Sequence, residues 1–481
     1  MHWKIIFRII GALLMLLATV MLGCSAVALF FDGHDFFAFL ASALITLLVS
    51  LWLLFFGKGA TNKYSRRDGY LTLTLSWISF ALVGTLPLLL SGTIHNFSDA
   101  FFESMSYFTT TGCSVIDNTE ALPHALLFWR SISQWFGGLG IVFFTVAVLP
   151  MFGFSGVQLF AAETTGYAKK KSSPRVAITA RWILTVYVVL TLGCAVALWF
   201  SGMQPFEAIC HGLTTISTGG LSTRNENIAA FQSARIEWVL IIFMFIAGIN
   251  YTLLFLCVLR GKFRSLFRSS EFHWYLFTVG IFTLILTVGM ILGNHLPAGA
   301  SFTDALFMTI SVQTTTGFTC GGYPTWPVWV WMILSFVMYF GAMGGSSSGA
   351  MKSSRIAIFA KSIQAELRRI LHPNAVLPVR MDGEVISSTT RTTVLTFVCL
   401  YMLLIFFGWL MMIICGVNFA DSYGLTLCCV GNVGIIMPGI SCASLPLLAK
   451  WVTSFLMLVG RLELFSVLLI LTPSFWREGN F

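Results

Sequence analysis

Charge is scarce in this chain. Asp, Glu, Lys and Arg make up 10% of its 481 residues while 57% are hydrophobic, and soluble domains carry about 25% charge. That balance excludes a soluble globular protein and fits a membrane one. The 11 cysteines contain no C-x-x-C, and most lie inside apolar runs where cysteine acts as a small hydrophobe. A disulfide framework and a cysteine metal site are thereby excluded. Nor do the eight histidines show H-E-x-x-H or another ligand spacing. No nucleophile, acid–base pair or metal constellation emerges, so an enzyme is not expected. A membrane-embedded transferase would need paired acids or histidines at membrane depth, which the pattern does not offer.

What the chain has instead is long apolar runs. Crossing about 30 Å of hydrocarbon takes about 20 apolar residues, and such runs span 5–31, 37–56, 70–90, 126–152, 182–200, 236–259, 272–292, 326–340, 394–415 and 451–471. About ten transmembrane segments are expected. Lys and Arg collect in alternate connections, at Lys58 to Arg67, Lys169 to Arg181, Arg260 to Arg268 and Lys352 to Arg391. Short cytoplasmic loops gather positive charge, which places both termini in the cytoplasm. The net charge of +9 therefore reflects topology, and its division among separate loops argues against a nucleic-acid surface. Although "MLGC" ending at Cys24 faintly resembles a lipoprotein cleavage site, the run stays apolar through Phe31. A retained helix is the expectation.

One pattern recurs four times, in "NFSDAFFESMSYFTTTGCSV", "QPFEAICHGLTTISTGGLST", "ASFTDALFMTISVQTTTGFT" and "VNFADSYGLTLCCVGNVGII". Each copy has a phenylalanine, then an acid (Asp99, Glu207, Asp304, Asp421), a half-length apolar stretch, and a glycine (Gly112, Gly219, Gly317, Gly434). Acid and glycine are separated by 13, 12, 13 and 13 residues. Such regularity indicates one unit copied four times. Each unit reads as span, re-entrant helix, polar loop, span, on a chain divided into residues 1–69 (two extra helices) and repeats at 70–152, 179–260, 272–360 and 393–472. The fold class is thus all-α integral membrane with pseudo-fourfold symmetry.

The half-length helix cannot cross, and its acid suits the positive dipole at a helix start. Its other end then points to the middle of the membrane, followed by non-helical backbone that is tolerated only when buried or lining an aqueous path. Four such ends around one axis would offer carbonyl oxygens to a desolvated cation. The glycines permit positive φ and close approach, and the hydroxyls of Thr110, Thr111, Thr218, Thr315 and Thr316 add ligands or brace the loops.

Three further features stand out. "GAMGGSSSG", Gly341 to Gly349, interrupts the second span of the third repeat about 15 residues in, with the helix resuming at "AMKSSRIAIFA". It lacks the G-K-[ST] of a phosphate loop. Arg461 lies inside the last span, where an ionised side chain needs a partner or water. Glu463, two residues on, is on another helix face, so Arg461 either pairs with another helix or lines the ion path. Asn250 in "AGINYT" is a pathway contact or helix-to-helix glue. The basic stretch from Lys361 to Arg391 is a docking surface or a solvated, lipid-facing charge run.

The four loops, "RRDGY" before the first repeat, "FWRSISQWFGGLGIVFFTVAVLP" from Phe128 and "GRLELFSVLLILTPSFW" from Gly460 resemble the Trk/Ktr/HKT superfamily of potassium transporters, over nearly the whole chain. The two extra spans make the bacterial TrkH/TrkG type the nearest likeness. The resemblance implies one pore per subunit, K⁺ as the bound substrate with no organic cofactor, a homodimer in the bacterial inner membrane, and a cytosolic nucleotide-binding regulatory subunit (TrkA-like). It implies a filter formed by Thr110, Thr111, Gly112 and Cys113, by Thr218, Gly219 and Gly220, by Thr315, Thr316, Gly317 and Phe318, and by Asn432, Val433, Gly434 and Ile435. Glycine in all four loops goes with potassium in this superfamily, and serine in the first with sodium. "GNVG" departs most from the threonine-glycine form. The resemblance further implies an intramembrane gate of Gly344, Gly345, Ser346, Ser347, Ser348 and Gly349, with Lys352 adding charge at its end and Arg461 raising a barrier beside it. A sodium-permeable or ion-coupled symporter on the same scaffold is the alternative expectation.

Overall fold

The computed structural model describes residues 1–31, 33–60, 65–143, 175–294, 298–323, 326–375, 377–436 and 440–477. The end of the first repeat's second span, through Phe152, and the Lys169 to Lys171 cluster lie outside the described residues.

Apolar runs became helices where expected. Six described helices are long and apolar enough to cross a membrane: Trp3–Phe31, Phe36–Phe56, Arg66–Leu90, Arg175–Phe200, Ser270–Asn294 and Ser388–Ile414. The first two pair as a hairpin and pack beside the third, where Ser65 and Asp68 form a reciprocal capping box at the helix start. The Asp68 carboxylate also accepts from the backbone N–H of His2 at 3.0 Å.

Each of the last four spans just named, from Arg66–Leu90 onward, leads into a short pore helix. These are Phe97–Phe108, Pro205–Ile216, Ala298–Gln313 and Phe419–Gly431. Asp99, Glu207 and Asp421 lie in first turns, as the dipole argument requires, but Asp304 does not: the third pore helix starts at Ala298, a turn earlier than the acid implies.

The second spans are less regular than apolar length suggests. His124–Phe143 completes the first repeat within the described residues. In the second, Ala234–Ala247 and Tyr251–Arg260 meet at a bend of 106°. In the fourth, Leu447–Arg461 and Phe465–Leu471 meet at 119°. In the third, helix Val328–Val337 stops altogether and the chain resumes helix only at Ser353, running to Leu371. Polar residues occupy all three breaks, and glycines those of the second and third repeats; such interruptions inside a membrane survive only where other protein groups re-satisfy the backbone.

The repeats close into a ring. Pore helix 2 packs on the second span of repeat 1, pore helix 3 on that of repeat 2, and pore helix 1 on that of repeat 4. The third join is made by the hydroxyls of Tyr339 and Tyr423, 3.0 Å apart.

Candidate functional site

The four glycine loops share one backbone course. Thr110, Thr218, Thr315 and Asn432 have φ of 52°, 54°, 56° and 53°. The N–H of each bonds the carbonyl three residues back at 3.0, 3.1, 3.0 and 3.3 Å, and the following N–H bonds the carbonyl five back at 2.9, 2.9, 2.8 and 3.0 Å. This is a Schellman ending, but with threonine where glycine or asparagine is usual. A β-branched residue at positive φ is a true outlier, costing about 1–3 kcal/mol each at a site that holds it for a purpose. "GNVG", the most divergent loop in sequence, adopts the same conformation, and its Asn432 suits the left-handed region better than threonine does.

Two residues after each left-handed residue comes a glycine at φ 85°, 71°, 88° and 82°: Gly112, Gly220, Gly317 and Gly434. This corrects the sequence register in the second repeat, where Gly219 is expected to be the matching glycine. With Gly220 in that role, acid and glycine are 13 residues apart in all four copies. Two adjacent glycines hid the alignment, because composition cannot say which of them takes positive φ.

These glycines meet in a cycle. A Cβ on Gly112 would come to 2.5 Å from the Gly219 carbonyl oxygen. Likewise a Cβ on Gly220 would overlap the carbonyl of Thr316, one on Gly317 that of Val433, and one on Gly434 that of Thr111. Every loop thus touches the next through bare backbone. The C-terminal ends of four short helices converge here, each carrying a partial negative charge.

Side chains brace the loops from behind. The hydroxyls of Thr109 and Thr111 lie 2.8 Å apart, those of Thr314 and Thr316 2.7 Å, and the Asn432 amide donates to the Thr111 hydroxyl at 2.9 Å. The Ser311 hydroxyl donates to the Phe318 carbonyl at 2.6 Å, and the Cys113 sulfur sits 3.5 Å from that of Cys428. Val433 and Ile435 are buried.

Glu103, fully buried in the first pore helix, was not foreseen as part of this site. Its carboxylate accepts from the Tyr107 hydroxyl at 2.8 Å, the Ser114 hydroxyl at 2.7 Å and the Val115 N–H at 2.7 Å, with Arg130 at 3.9 Å. His211 holds the matching place in the second repeat, its Nε2 2.9 Å from the Ser222 hydroxyl. An acid in the middle of an apolar half-helix was the available signal. Glu103→Ala strands three donors and a guanidinium, and is expected to cost about 3 kcal/mol of stability. Thermal unfolding in detergent checks this, with Glu103→Gln expected to lose less.

The Gly/Ser segment lies against these loops. Gly341 to Gly349 is non-helical, and hydrogen bonds from several repeats hold it. The Gly349 N–H donates to the Thr315 hydroxyl at 2.7 Å, and the Ser347 hydroxyl donates at 3.0 Å to the carbonyl of Ile216, the last residue of pore helix 2. A Cβ on Gly349 would overlap the carbonyl of Gly431, which ends pore helix 4. The Arg461 guanidinium donates to the Ser347 carbonyl at 2.7 Å and to the Gly137 carbonyl in repeat 1 at 2.8 Å. Glu463 pairs with Arg355 rather than with Arg461.

Asn250 turns out to serve two structures at once. Its side-chain oxygen caps the helix that starts at Tyr251, accepting from the Thr252 N–H at 2.8 Å, and its amide donates to the Gly344 carbonyl at 2.6 Å. The Tyr251 N–H donates to the Gly345 carbonyl at 3.2 Å, and the hydroxyls of Ser346 and Ser348 lie 2.8 Å apart. Lys352 folds back onto the carbonyl of Ser348. Glu271, another residue outside the sequence expectations, clasps both ends of the segment: its carboxylate accepts from the Gly344 N–H at 2.6 Å and the Ser354 N–H at 3.2 Å.

Four converging helix ends inside a ring of apolar spans, with a polar strap drawn across them, define an integral-membrane transport protein. The chain belongs to the TrkH family of cation transport proteins, whose family model matches residues 36–477. It is 35% identical to the Trk system potassium uptake protein TrkH of Escherichia coli K12, over 99% of this chain and 100% of that one. It is 31% identical to the TrkG protein of the same organism, over 99% of each. The crystal structure of the potassium transporter TrkH from Vibrio parahaemolyticus superposes with a TM-score of 0.91 at 33% identity, covering 99% of this chain and 100% of that one. The family is one of transporters and not of enzymes.

Proposed function

We propose that this chain carries potassium across the membrane through the ring of four glycine loops. The carrying observation is the cycle itself: four loops with one set of dihedrals, each glycine pressed against the backbone of the next repeat. A ring of that kind places backbone oxygens at fixed positions where a K⁺ can exchange its water for them. The filter set expected from sequence enters this reading with Gly220 as the second loop's central glycine and Gly219 beside it. Glycine at position 112, where a sodium-preferring relative of this superfamily has serine, supports potassium as the ion.

The Gly/Ser segment is the gate in this reading, and Arg461 its lock. Helix Ser353–Leu371 begins one residue beyond Lys352, so a force on the basic cytoplasmic stretch reaches the segment directly. In this reading a soluble nucleotide-binding partner docks there, and two copies of the chain lie in the bacterial inner membrane with both termini cytoplasmic.

The test is ⁸⁶Rb⁺ uptake into liposomes holding the purified protein, with unlabelled K⁺ and Na⁺ as competitors. Suppression by K⁺ but not Na⁺, weakened in Gly112→Ser, is the expected result. Equal suppression by both ions in the wild type defeats the potassium reading.

A further inference from the structure

The second glycine loop is built unlike the others. The residue before the central glycine is Thr111, Thr316 or Val433 in loops 1, 3 and 4, but Gly219 in loop 2. Loops 1 and 3 use the hydroxyl of that threonine to brace the turn. Loop 2 has no side chain there, and Gly219–Gly220 is the most permissive dipeptide in any of the four loops. Left to itself it would be the weakest quarter of the ring.

Gln134 occupies the vacant volume. It comes from the neighbouring repeat, on helix His124–Phe143, and is fully buried. Its amide nitrogen donates to the Gly219 carbonyl at 2.7 Å, and its side-chain oxygen accepts from the Leu221 N–H at 3.3 Å. One backbone acceptor and one backbone donor flank Gly220, so the two partners together dictate which end of the amide is which. A Cβ added to Gly219 would overlap this amide, coming within 2.5 Å of its oxygen. Glycine at 219 and glutamine at 134 are therefore two halves of one fit.

We infer that Gln134 is the positioning residue of the second loop, fixing the backbone on both sides of Gly220 so that the loop's oxygens hold the spacing on which discrimination between K⁺ and Na⁺ depends. This rests on the glycine loops being the filter. Conduction needs only an open path, whereas selectivity needs fixed or strongly oriented oxygens. Loss of the amide should accordingly relax selectivity more than it slows uptake.

The test measures K⁺ against Na⁺ competition for ⁸⁶Rb⁺ uptake, with thermal stability followed in parallel. Gln134→Leu keeps the volume and loses both bonds, and is expected to lower the K⁺/Na⁺ ratio about fivefold or more, the effect of one net hydrogen bond, with saturated uptake changed less. Gln134→Glu keeps the acceptor for Leu221 but not the donor, and should lower the ratio without altering shape. Gly219→Thr restores the threonine of loops 1 and 3 and should collide with Gln134. Adding Gln134→Ala to it should recover uptake, and that recovery is readable even if Gln134→Leu folds poorly. An unchanged ratio in a stable Gln134→Leu or Gln134→Glu protein, or a double variant no better than Gly219→Thr alone, overturns the inference while the filter reading stands. Absence of K⁺/Na⁺ discrimination in the wild type would instead bring down the filter reading itself.

Discussion

Gly220→Ala is expected to abolish potassium uptake, while Gly219→Ala, one residue earlier, leaves a measurable fraction. At Gly220 the added methyl meets the Thr316 carbonyl, which is backbone of the next repeat, and φ is 71°. Neither can yield without moving two loops. Left-handed strain of about 1–2 kcal/mol for alanine adds to an overlap that has no side chain to rotate away. A combined penalty near 3 kcal/mol is roughly a 100-fold loss of uptake. At Gly219, by contrast, φ is not positive and the methyl meets the side chain of Gln134, which can move at a cost. Initial ⁸⁶Rb⁺ uptake rates for the two variants at equal protein check this order. The reverse order would mean that the sequence register, with Gly219 central, was right for function.

Arg461→Ala is expected to move flux in the opposite direction. The guanidinium ties the Ser347 carbonyl in the Gly/Ser segment to the Gly137 carbonyl in the first repeat, so its removal frees the segment on one side and, in the proposed reading, deletes a positive charge from the cation path. Hydrogen bonds to a charged group are worth about 1.5–3 kcal/mol, so uptake in liposomes without any partner protein should rise about tenfold. Arg461→Lys keeps the charge but not the two-armed donor, and should fall between wild type and alanine. No rise in a well-folded Arg461→Ala protein would assign the arginine to bracing alone. Glu271 is a natural companion, since it holds the same segment on either side of Ser347 through the Gly344 and Ser354 N–H groups.

Much of this was legible beforehand for a simple reason. Membrane spans announce themselves by composition, because hydrocarbon tolerates so few polar groups, and the four pore helices by their repeated acid-to-glycine interval. The Gly/Ser break in the third repeat was equally plain, although helix resumes at Ser353, three residues after the expected Ala350. What could not be read was anything carried by one side chain to a distant backbone group. Gln134 and Gly219 are 85 residues apart, Arg461 and Ser347 114, and no periodicity links such pairs.

The amino-acid sequence alone determined that this is a membrane protein of four repeats, each aiming a short helix and a glycine at a common centre. Those features follow from local chemistry: apolar length, dipole-matched acids, and a residue without Cβ. Only the tertiary structure decided that Gly220 and not Gly219 completes the ring, that Asn432 does the work of a threonine, and that Gln134 and Arg461 reach between repeats. Such choices arise where four chain segments compete for one volume, and steric exclusion among them is settled only when all four are in place.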